Sequence, residues 1–324
     1  MRYFLTGATG FVGGRVARQL IAAGHTVTAV VRDPAKAQDL AALGVRLAPG
    51  DVTDQESLRA PMTGADGVFH IAGWYKIGVK DKRPGEAVNI QGTQNVLEVM
   101  RALGIPKGVY TSTLAVNSDT GGRRVDETYH FSGGRHLSEY DRTKALAHEI
   151  AETFVAQGLP LVIVQPGLIY GPGDTSSVRT TLRQYLRRQL PVVPQQTAFC
   201  WAHVDDIARG HLLAMEKGRP GQSYFLAGPV HTMPEALALA QQITGIPAPG
   251  AAPAGVFKAL SAVMGLVEQI VPVPESYTAE GLRIIAGTTY IGDNAKARRE
   301  LGWEPRPLAE GLRETLEHEL KLLA

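Results

Sequence analysis

The chain has 324 residues, 44% hydrophobic and 20% charged, with a formal net charge of +2 at pH 7. Such a composition suits an ordered protein of one large or two intimately joined domains, and it gives no electrostatic case for nucleic acid as a partner. One cysteine, Cys200, excludes an internal disulfide and a thiolate metal cluster, and no metal site is expected.

The opening MRYFLTGATG lacks the apolar stretch of a signal peptide. The most apolar late segment, VFKALSAVMGLVEQIV from Val256, is interrupted by Lys258 and Glu268 and is short for a bilayer. It reads as a helix packed on a core or lining a pocket. A cytoplasmic protein without a membrane partner is the expectation.

In chain order, short apolar runs at 3–6, 26–31, 45–49, 67–72, 108–113 and 161–166 read as strands. Amphipathic stretches at 11–24, 34–44, 54–62, 85–104 and 138–158 read as helices, many closing on Gly. Such alternation predicts an α/β fold, a doubly wound parallel sheet with helices on both faces. After Pro166 comes a turn cluster, GPGDTSS (171–177), then a helix over 178–190 and further helices starting near Asp206, Met233 and Glu275. The Pro/Gly/Ala-rich stretch 245–255 reads as a loop, and 293–320 as two helices around a Pro-bounded turn. No internal repeat is present. Residues 1–165 are expected to form the dinucleotide-binding domain, with parts of 198–230 returning to it. Residues 166–324 are expected to form a smaller, mostly helical substrate lobe over the sheet's carboxyl edge, where ligands of such sheets bind.

TGATGFVGGR follows the first strand and opens the first helix, spacing Gly7, Gly10 and Gly13 as G-x-x-G-x-x-G. A pyrophosphate site needs a tight turn, bare backbone and free N–H groups at a helix start. Gly7, Thr9, Gly10, Phe11, Val12 and Gly13 are the residues expected to meet it. A turn needing positive φ would explain the glycines as well. Strand two ends in VVRDP, where an acid would accept from the ribose of NAD(H). Arg32 stands there instead, and a guanidinium grips a 2′-phosphate, so NADP(H) is favoured. The alternative makes Arg32 a solvated loop residue and Asp33 the ribose acid, leaving NAD(H). Asp51 and Val52, after strand three, are placed to flank the adenine, unless Asp51 serves only as a helix-capping turn residue. Ile71, Ala72 and Gly73, after strand four, put small residues where backbone would pass the pyrophosphate and ribose.

Strand five ends in YTSTLAV, bringing the hydroxyls of Thr111, Ser112 and Thr113 to the sheet's rim. On the next long helix, Tyr140 and Lys144 are four apart and share one face. A phenol can move a proton while hydride passes to or from a carbonyl carbon, and a second hydroxyl fixes the oxygen. A free phenol titrates near 10, and an adjacent ammonium is expected to lower that.

Together, T-G-x-x-G-x-x-G at 6–13, the hydroxyl run at 111–113 and Y-x-x-x-K at 140–144 resemble an extended short-chain dehydrogenase/reductase. VNIQGTQNVLEV (88–99, with Asn89), QPGLIYGPGD (165–174), HVDDIA (203–208) and ELGWEPRPLAEGL (300–312) extend the resemblance along nearly the whole chain. It implies a Rossmann-type sheet, Thr113 as the triad hydroxyl, Tyr140 as acid/base and Lys144 as its partner and holder of the nicotinamide ribose. It also implies main chain at Pro166 and Gly167 beside the nicotinamide, and a homodimer formed through 84–103 and 138–157. VVRDP and YTSTLAV look closer to dihydroflavonol 4-reductase-like and hydroxysteroid dehydrogenase-like members than to nucleotide-sugar epimerases. The epimerases carry a late R-x-G-D setting, and here Gly292–Asp293 follow Ile291. Gln165 departs from the arginine of many relatives.

Arg179, Arg183, Arg187 and Arg188 could meet an anionic substrate or form a solvated helix face. His203, Asp205 and Asp206 superficially suggest a metal, yet Asp205 or Asp206 as a helix N-cap is simpler. His148 reads as a packing or surface residue, and Trp74, Tyr75 and Lys76 as a loop lining the substrate cavity. The expected activity is NADP(H)-dependent interconversion of a ketone or aldehyde and an alcohol on a partly apolar small molecule. The alternatives are a nucleotide-sugar epimerase or dehydratase with recycled cofactor, and a non-catalytic dinucleotide-binding sensor or scaffold.

Overall fold

The computed structural model describes residues 1–274 and 277–323. Thirteen strands are described: β1 (Arg2–Thr6), β2 (Thr26–Val31), β3 (Arg46–Pro49), β4 (Gly67–His70), β5 (Gly108–Thr111), β6 (Leu161–Pro166), β7 (Leu168–Tyr170), β8 (Val192–Pro194), β9 (Ala198–His203), β10 (Ser223–Leu226), β11 (Val230–Thr232), β12 (Gly250–Ala252) and β13 (Thr289–Tyr290). Seven make one parallel sheet in the order β10-β6-β5-β4-β1-β2-β3. The chain order reverses between β1 and β4, so a crevice opens at their carboxyl ends.

Both faces of this sheet are covered, and side chains alternate between two cores. Leu5, Val109, Val162 and Val164 pack in one, beneath helices Phe11–Ala22 and Val204–Lys217. Phe4, Tyr110, Leu161 and Ile163 pack in the other, beneath Gln55–Met62, Gly92–Ala102 and Glu139–Ala156. Period-two alternation with both faces apolar is what a doubly wound sheet requires. The smaller lobe has its own core, in which Tyr170, Tyr185, Trp201 and Leu312 meet. Its backbone carries β9 with β7, β11 and β13, plus the pair β8 and β12.

Several local expectations change. The stretch 34–44 splits into a 3₁₀ turn, Pro34–Ala37, capped by Asp33, and a short helix, Gln38–Ala42. The helix expected at 85–104 begins at Arg83, and Glu86–Gln91 within it is wound as a π segment. Three residues of the presumed loop 245–255 form β12, because pairing with β8 uses only backbone groups. The helix start expected at Glu275 lies outside the described residues; a helix is described at Ala279–Ile284. Helix Ala254–Val267 does not bury its apolar side as expected. Only Phe257 is buried, while Val256, Val263 and Leu266 are 52%, 55% and 69% exposed. No described helix is long and apolar enough to cross a membrane.

Trp303 fastens the chain's end to the sheet domain. It is 0% exposed, its Nε1 donates to the Asp206 carbonyl at 2.7 Å, and it fits against Gly210, where a Cβ would come 3.0 Å from that nitrogen. Beside it Arg306 forks onto both oxygens of Asp206 at 2.9–3.1 Å. Trp303→Ala is expected to cost about 3–5 kcal/mol through lost burial and a cavity, read as a lower denaturant midpoint. A midpoint unchanged within error would refute this anchoring role.

Candidate active site

Glycines shape the crevice floor. Gly7 has φ +76°, and a Cβ there would lie 2.6 Å from the Ala72 nitrogen; at Gly13 a Cβ would meet the Gly7 carbonyl oxygen at 2.0 Å. Neither position tolerates a side chain. Helix Phe11–Ala22 starts at Gly10 with no side-chain cap and no acid in its first turn. Its first N–H groups and its dipole are therefore left for an anion. A dinucleotide pyrophosphate fits this cradle. Thr9 and Gly10 are exposed, and Phe11, Val12, Ile71 and Ala72 partly so, with Gly73 open beside them.

After β2 Arg32 is exposed and its side chain has no hydrogen-bond or ion-pair partner among the described residues, whereas Asp33 is occupied. Its Oδ1 accepts from the Ala35 N–H at 3.0 Å and its Oδ2 lies 3.5 Å from Lys36 Nζ. Asp51 does not cap the following helix; Asp54 does. Asp51 Oδ1 instead closes a turn by accepting from the Thr53 N–H and hydroxyl, both at 2.9 Å. Val52 is buried, and its carbonyl accepts from Asn95 Nδ2 at 2.8 Å.

Thr113 follows β5, and the helix Glu139–Ala156 carries Tyr140 and Lys144 past the end of that strand. Thr113 caps the 3₁₀ turn Leu114–Asn117, and its hydroxyl lies beside the Tyr140 phenol, which it favours in the charged form. Ser138 starts the Tyr140 helix by accepting from the Asp141 N–H at 3.0 Å. Tyr140 retains some exposure, yet desolvation dominates and pushes its phenol up to about 12, with Thr113 pulling against it. Lys144 is buried. Its Nζ donates to the Thr111 carbonyl at 2.8 Å and the Tyr110 hydroxyl at 3.3 Å, and sits 4.9 Å from the Tyr110 ring centre. Desolvation lowers it to about 7. The expected lowering of the phenol by the ammonium is not found: burial governs both groups, in opposite directions.

The other rim hydroxyls are engaged elsewhere. Thr111 Oγ1 meets His211 Nε2 at 2.8 Å and Ser112 Oγ meets His148 Nδ1 at 2.9 Å, so neither side chain faces the crevice freely. His148 also stands 3.4 Å from Glu152. Pro166 is buried at the end of β6, and Gly167 passes so close to Cys200 that a Cβ would lie 2.3 Å from its carbonyl oxygen. Gln165 is buried with its Oε1 unpartnered.

Three further residues complete the site; Asn89 and Tyr75 lie in stretches the sequence pattern marked, and Glu280 does not. Asn89, in the π segment, accepts from the Trp74 N–H at 2.7 Å and donates to the Trp74 carbonyl and the Thr143 hydroxyl, both at 2.9 Å. It thereby ties the loop after β4 to the Tyr140 helix. Tyr75 crosses to the lobe, its hydroxyl 2.9 Å from that of Thr175. Glu280, from the lobe, accepts from the Glu139 N–H at 2.5 Å and the Gly78 N–H at 3.1 Å. A cavity of about 670 Å³ opens beside them, lined by Lys80, Arg135, Ser138, Glu139, Val273 and Arg283 among others. Tyr140 does not line it, so it is separate from the crevice beside Tyr140.

Two sequence alternatives resolve as ion pairs. Arg179 and Arg183 reach buried Glu319 at 2.7 and 3.6 Å, so each guanidinium is engaged within the chain. Neither Asp205 nor Asp206 caps helix Val204–Lys217; His203 does, through its Nδ1. His203, Asp205 and Glu314 bring potential ligand atoms within 4.8 Å. Arg15 lies 3.5 Å from Asp205 and Arg306 3.1 Å from Glu314, so cations already balance this cluster.

The sequence profile of the NAD dependent epimerase/dehydratase family matches residues 3–227. A Synechocystis sp. protein with the provisional name dihydroflavonol 4-reductase is 33% identical, over 96% of this chain and 92% of its own length. The 4-hydroxy-2-methyl-3-oxo-4-farnesyl-3,4-dihydroquinoline-1-oxide ketoreductase of Stigmatella aurantiaca is also 33% identical, over 94% and 92%. Among solved structures, UDP-glucose 4-epimerase with UDP-glucose from Thermotoga maritima superposes with a TM-score of 0.79 at 24% identity, covering 100% of both chains. That last likeness is one of fold.

Asp141, next to Tyr140, is buried and accepts from the Tyr290 hydroxyl at 3.3 Å; desolvation raises its carboxyl from 3.8 to about 7. The folded chain therefore holds this proton more tightly than the unfolded chain does, and stability falls as pH rises from about 4 to 7. Asp141→Asn removes that loss. It is expected to raise stability by up to about 4 kcal/mol at pH 8 and by little at pH 4, measured by urea denaturation at both pH values. Equal effects at the two pH values would contradict the assignment.

Proposed function

The chain belongs to the NAD dependent epimerase/dehydratase family, and we propose that it interconverts a ketone or aldehyde and its alcohol on a partly apolar small molecule, using NADP(H). The carrying observation is the meeting of Thr113 and Tyr140 hydroxyls one helical turn from buried Lys144, on the crevice side of a glycine cradle. The bound dinucleotide supplies or accepts the hydride.

The chain's own groups handle the oxygen. In reduction, the Tyr140 phenol holds its proton at neutral pH and delivers it to the substrate oxygen, while the Thr113 hydroxyl directs that oxygen. Lys144, suspended between the Thr111 carbonyl and Tyr110, offers a cation that favours the phenolate left behind. In oxidation the same groups run in reverse.

The NADP(H) preference rests on Arg32, exposed and available, beside an Asp33 already committed to its turn. A ketone on an apolar body is supported by the names of two relatives that are 33% identical over almost their whole length. The likeness to UDP-glucose 4-epimerase, at 24% identity, supports the scaffold only.

The decisive measurement is stoichiometry against a panel of apolar ketones. One NADPH consumed per alcohol formed is expected; turnover with no net cofactor change would overturn the proposal in favour of epimerisation. Tyr140→Phe is expected to bind cofactor normally and lose at least about 100-fold in turnover. Arg32→Ala is expected to weaken NADPH binding about 10- to 100-fold, the scale of one charged hydrogen bond, with NADH binding nearly unchanged. Equal losses for both cofactors would return the ribose role to Asp33.

A further inference from the structure

Behind Lys144, on the side away from solvent, a file of polar groups runs through the core between β1, β4, β5 and the helix Gly92–Ala102. Thr6 Oγ1 lies 2.8 Å from His70 Nδ1, and His70 Nε2 lies 3.1 Å from Thr93 Oγ1. Thr93 stands beside Tyr110, close enough to pull its phenol down against burial, and the Tyr110 hydroxyl receives Lys144 Nζ at 3.3 Å. The His70 ring also stacks on Tyr110, centroids 5.4 Å apart and planes 27° apart. Thr6, His70, Thr93 and Tyr110 are at most 1% exposed and Lys144 is 5% exposed.

We propose that His70 and Thr93 are positioning residues for Lys144, holding Tyr110 so that it can accept a hydrogen bond from the ammonium and keep that buried lysine chargeable. The inference rests on Lys144 being the partner of Tyr140.

The direction of each bond follows from donor counting. Thr6 Oγ1 already accepts the Ile71 and Ala72 N–H groups at 3.1 Å each, so its single proton points to His70 Nδ1. Burial and the charge of Lys144 push His70 down to about 3, so the ring is neutral and its one proton sits on Nε2, facing Thr93. That proton occupies one lone pair of Thr93 and leaves the other for Tyr110. When Lys144 is charged it donates to Tyr110, and Tyr110 must pass its own proton onward. Thr93 is the acceptor offered. Without it, the charged state strands a buried hydroxyl proton.

No carboxylate forms an ion pair with Lys144 among the described residues. The groups facing it are the Thr111 carbonyl and Tyr110 from β5 and His70 from β4, with Tyr140 on its own helix near Tyr110. The ammonium is therefore sustained by neutral oxygens and an aromatic face rather than by a counter-charge, and each of those oxygens matters.

The test is a titration of Lys144 in the full-length, cofactor-free chain, with ¹³C-labelled lysine NMR and Lys144→Met to assign the signal. Thr93→Val keeps the shape and removes the hydroxyl. It is expected to move the Lys144 titration down by roughly one pH unit, the size one hydrogen bond carries, and to move the alkaline limb of kcat/KM the same way. Thr93→Ser, which restores the hydroxyl, and His70→Gln, whose amide can accept from Thr6 and donate to Thr93, are expected to titrate near wild type. Should Thr93→Val fail to fold, Tyr110→Phe reads the same shift. A Lys144 titration unmoved in a folded Thr93→Val or Tyr110→Phe chain overturns the proposal. Turnover insensitive to Tyr140→Phe and Lys144→Met would instead overturn the catalytic reading, leaving the NMR shift intact.

Discussion

A lysine buried without a carboxylate is the constraint on which the rest of this molecule turns. An ammonium at 5% exposure forfeits most of its hydration, and the chain replaces water with a strand-end carbonyl, a phenol and an aromatic ring. Each replacement requires a particular piece of architecture. β5 must end at Thr111 so that its carbonyl is free for Lys144 rather than for a neighbouring strand. Tyr110 must sit on the opposite face from Val109, which period-two alternation ensures. The helix carrying Lys144 must start at a fixed point, and the Ser138 cap with the Glu280 carboxylate sets it.

The same crowding that lowers Lys144 raises Tyr140 and Asp141. Three adjacent groups on one helix face are thus moved from their solution values by one cause, withdrawal from water, with signs set by whether the charged form is acid or base. A cleft tuned this way works only if solvent stays out, and the contacts between lobe and sheet domain serve that end: Tyr75 to Thr175, Glu280 to the Tyr140 helix, and Arg306 onto Asp206.

What could be read from the sequence was what is local. Strand–helix alternation, the glycine spacing and the four-residue step from Tyr140 to Lys144 each lie within a few turns of chain, and the physics acting there is short-ranged. What escaped depends on partners far away. Thr111 and Ser112 looked like free rim hydroxyls, but His211 and His148 claim them from another helix and a later turn. The arginines at 179 and 183 looked solvated or substrate-facing until Glu319 came against them from the last helix. β12 hid in a Pro/Gly/Ala-rich stretch because its pairing needs no side chains. The exposed apolar side of helix Ala254–Val267 had the opposite problem: its composition is that of a core helix, and only the packing tells which side was left outside.

The bridge made by Glu280 has an implication for how such proteins diversify. One carboxylate, supplied by the lobe, holds the first backbone nitrogen of the Tyr140 helix and the turn at Gly78 together. Exchanging the lobe for that of a cousin with different tastes would therefore import more than new walls: it would reset the perch of Tyr140 itself. Hybrids that bring their own acid to this junction inherit a working geometry, and those that do not begin with a tyrosine out of line.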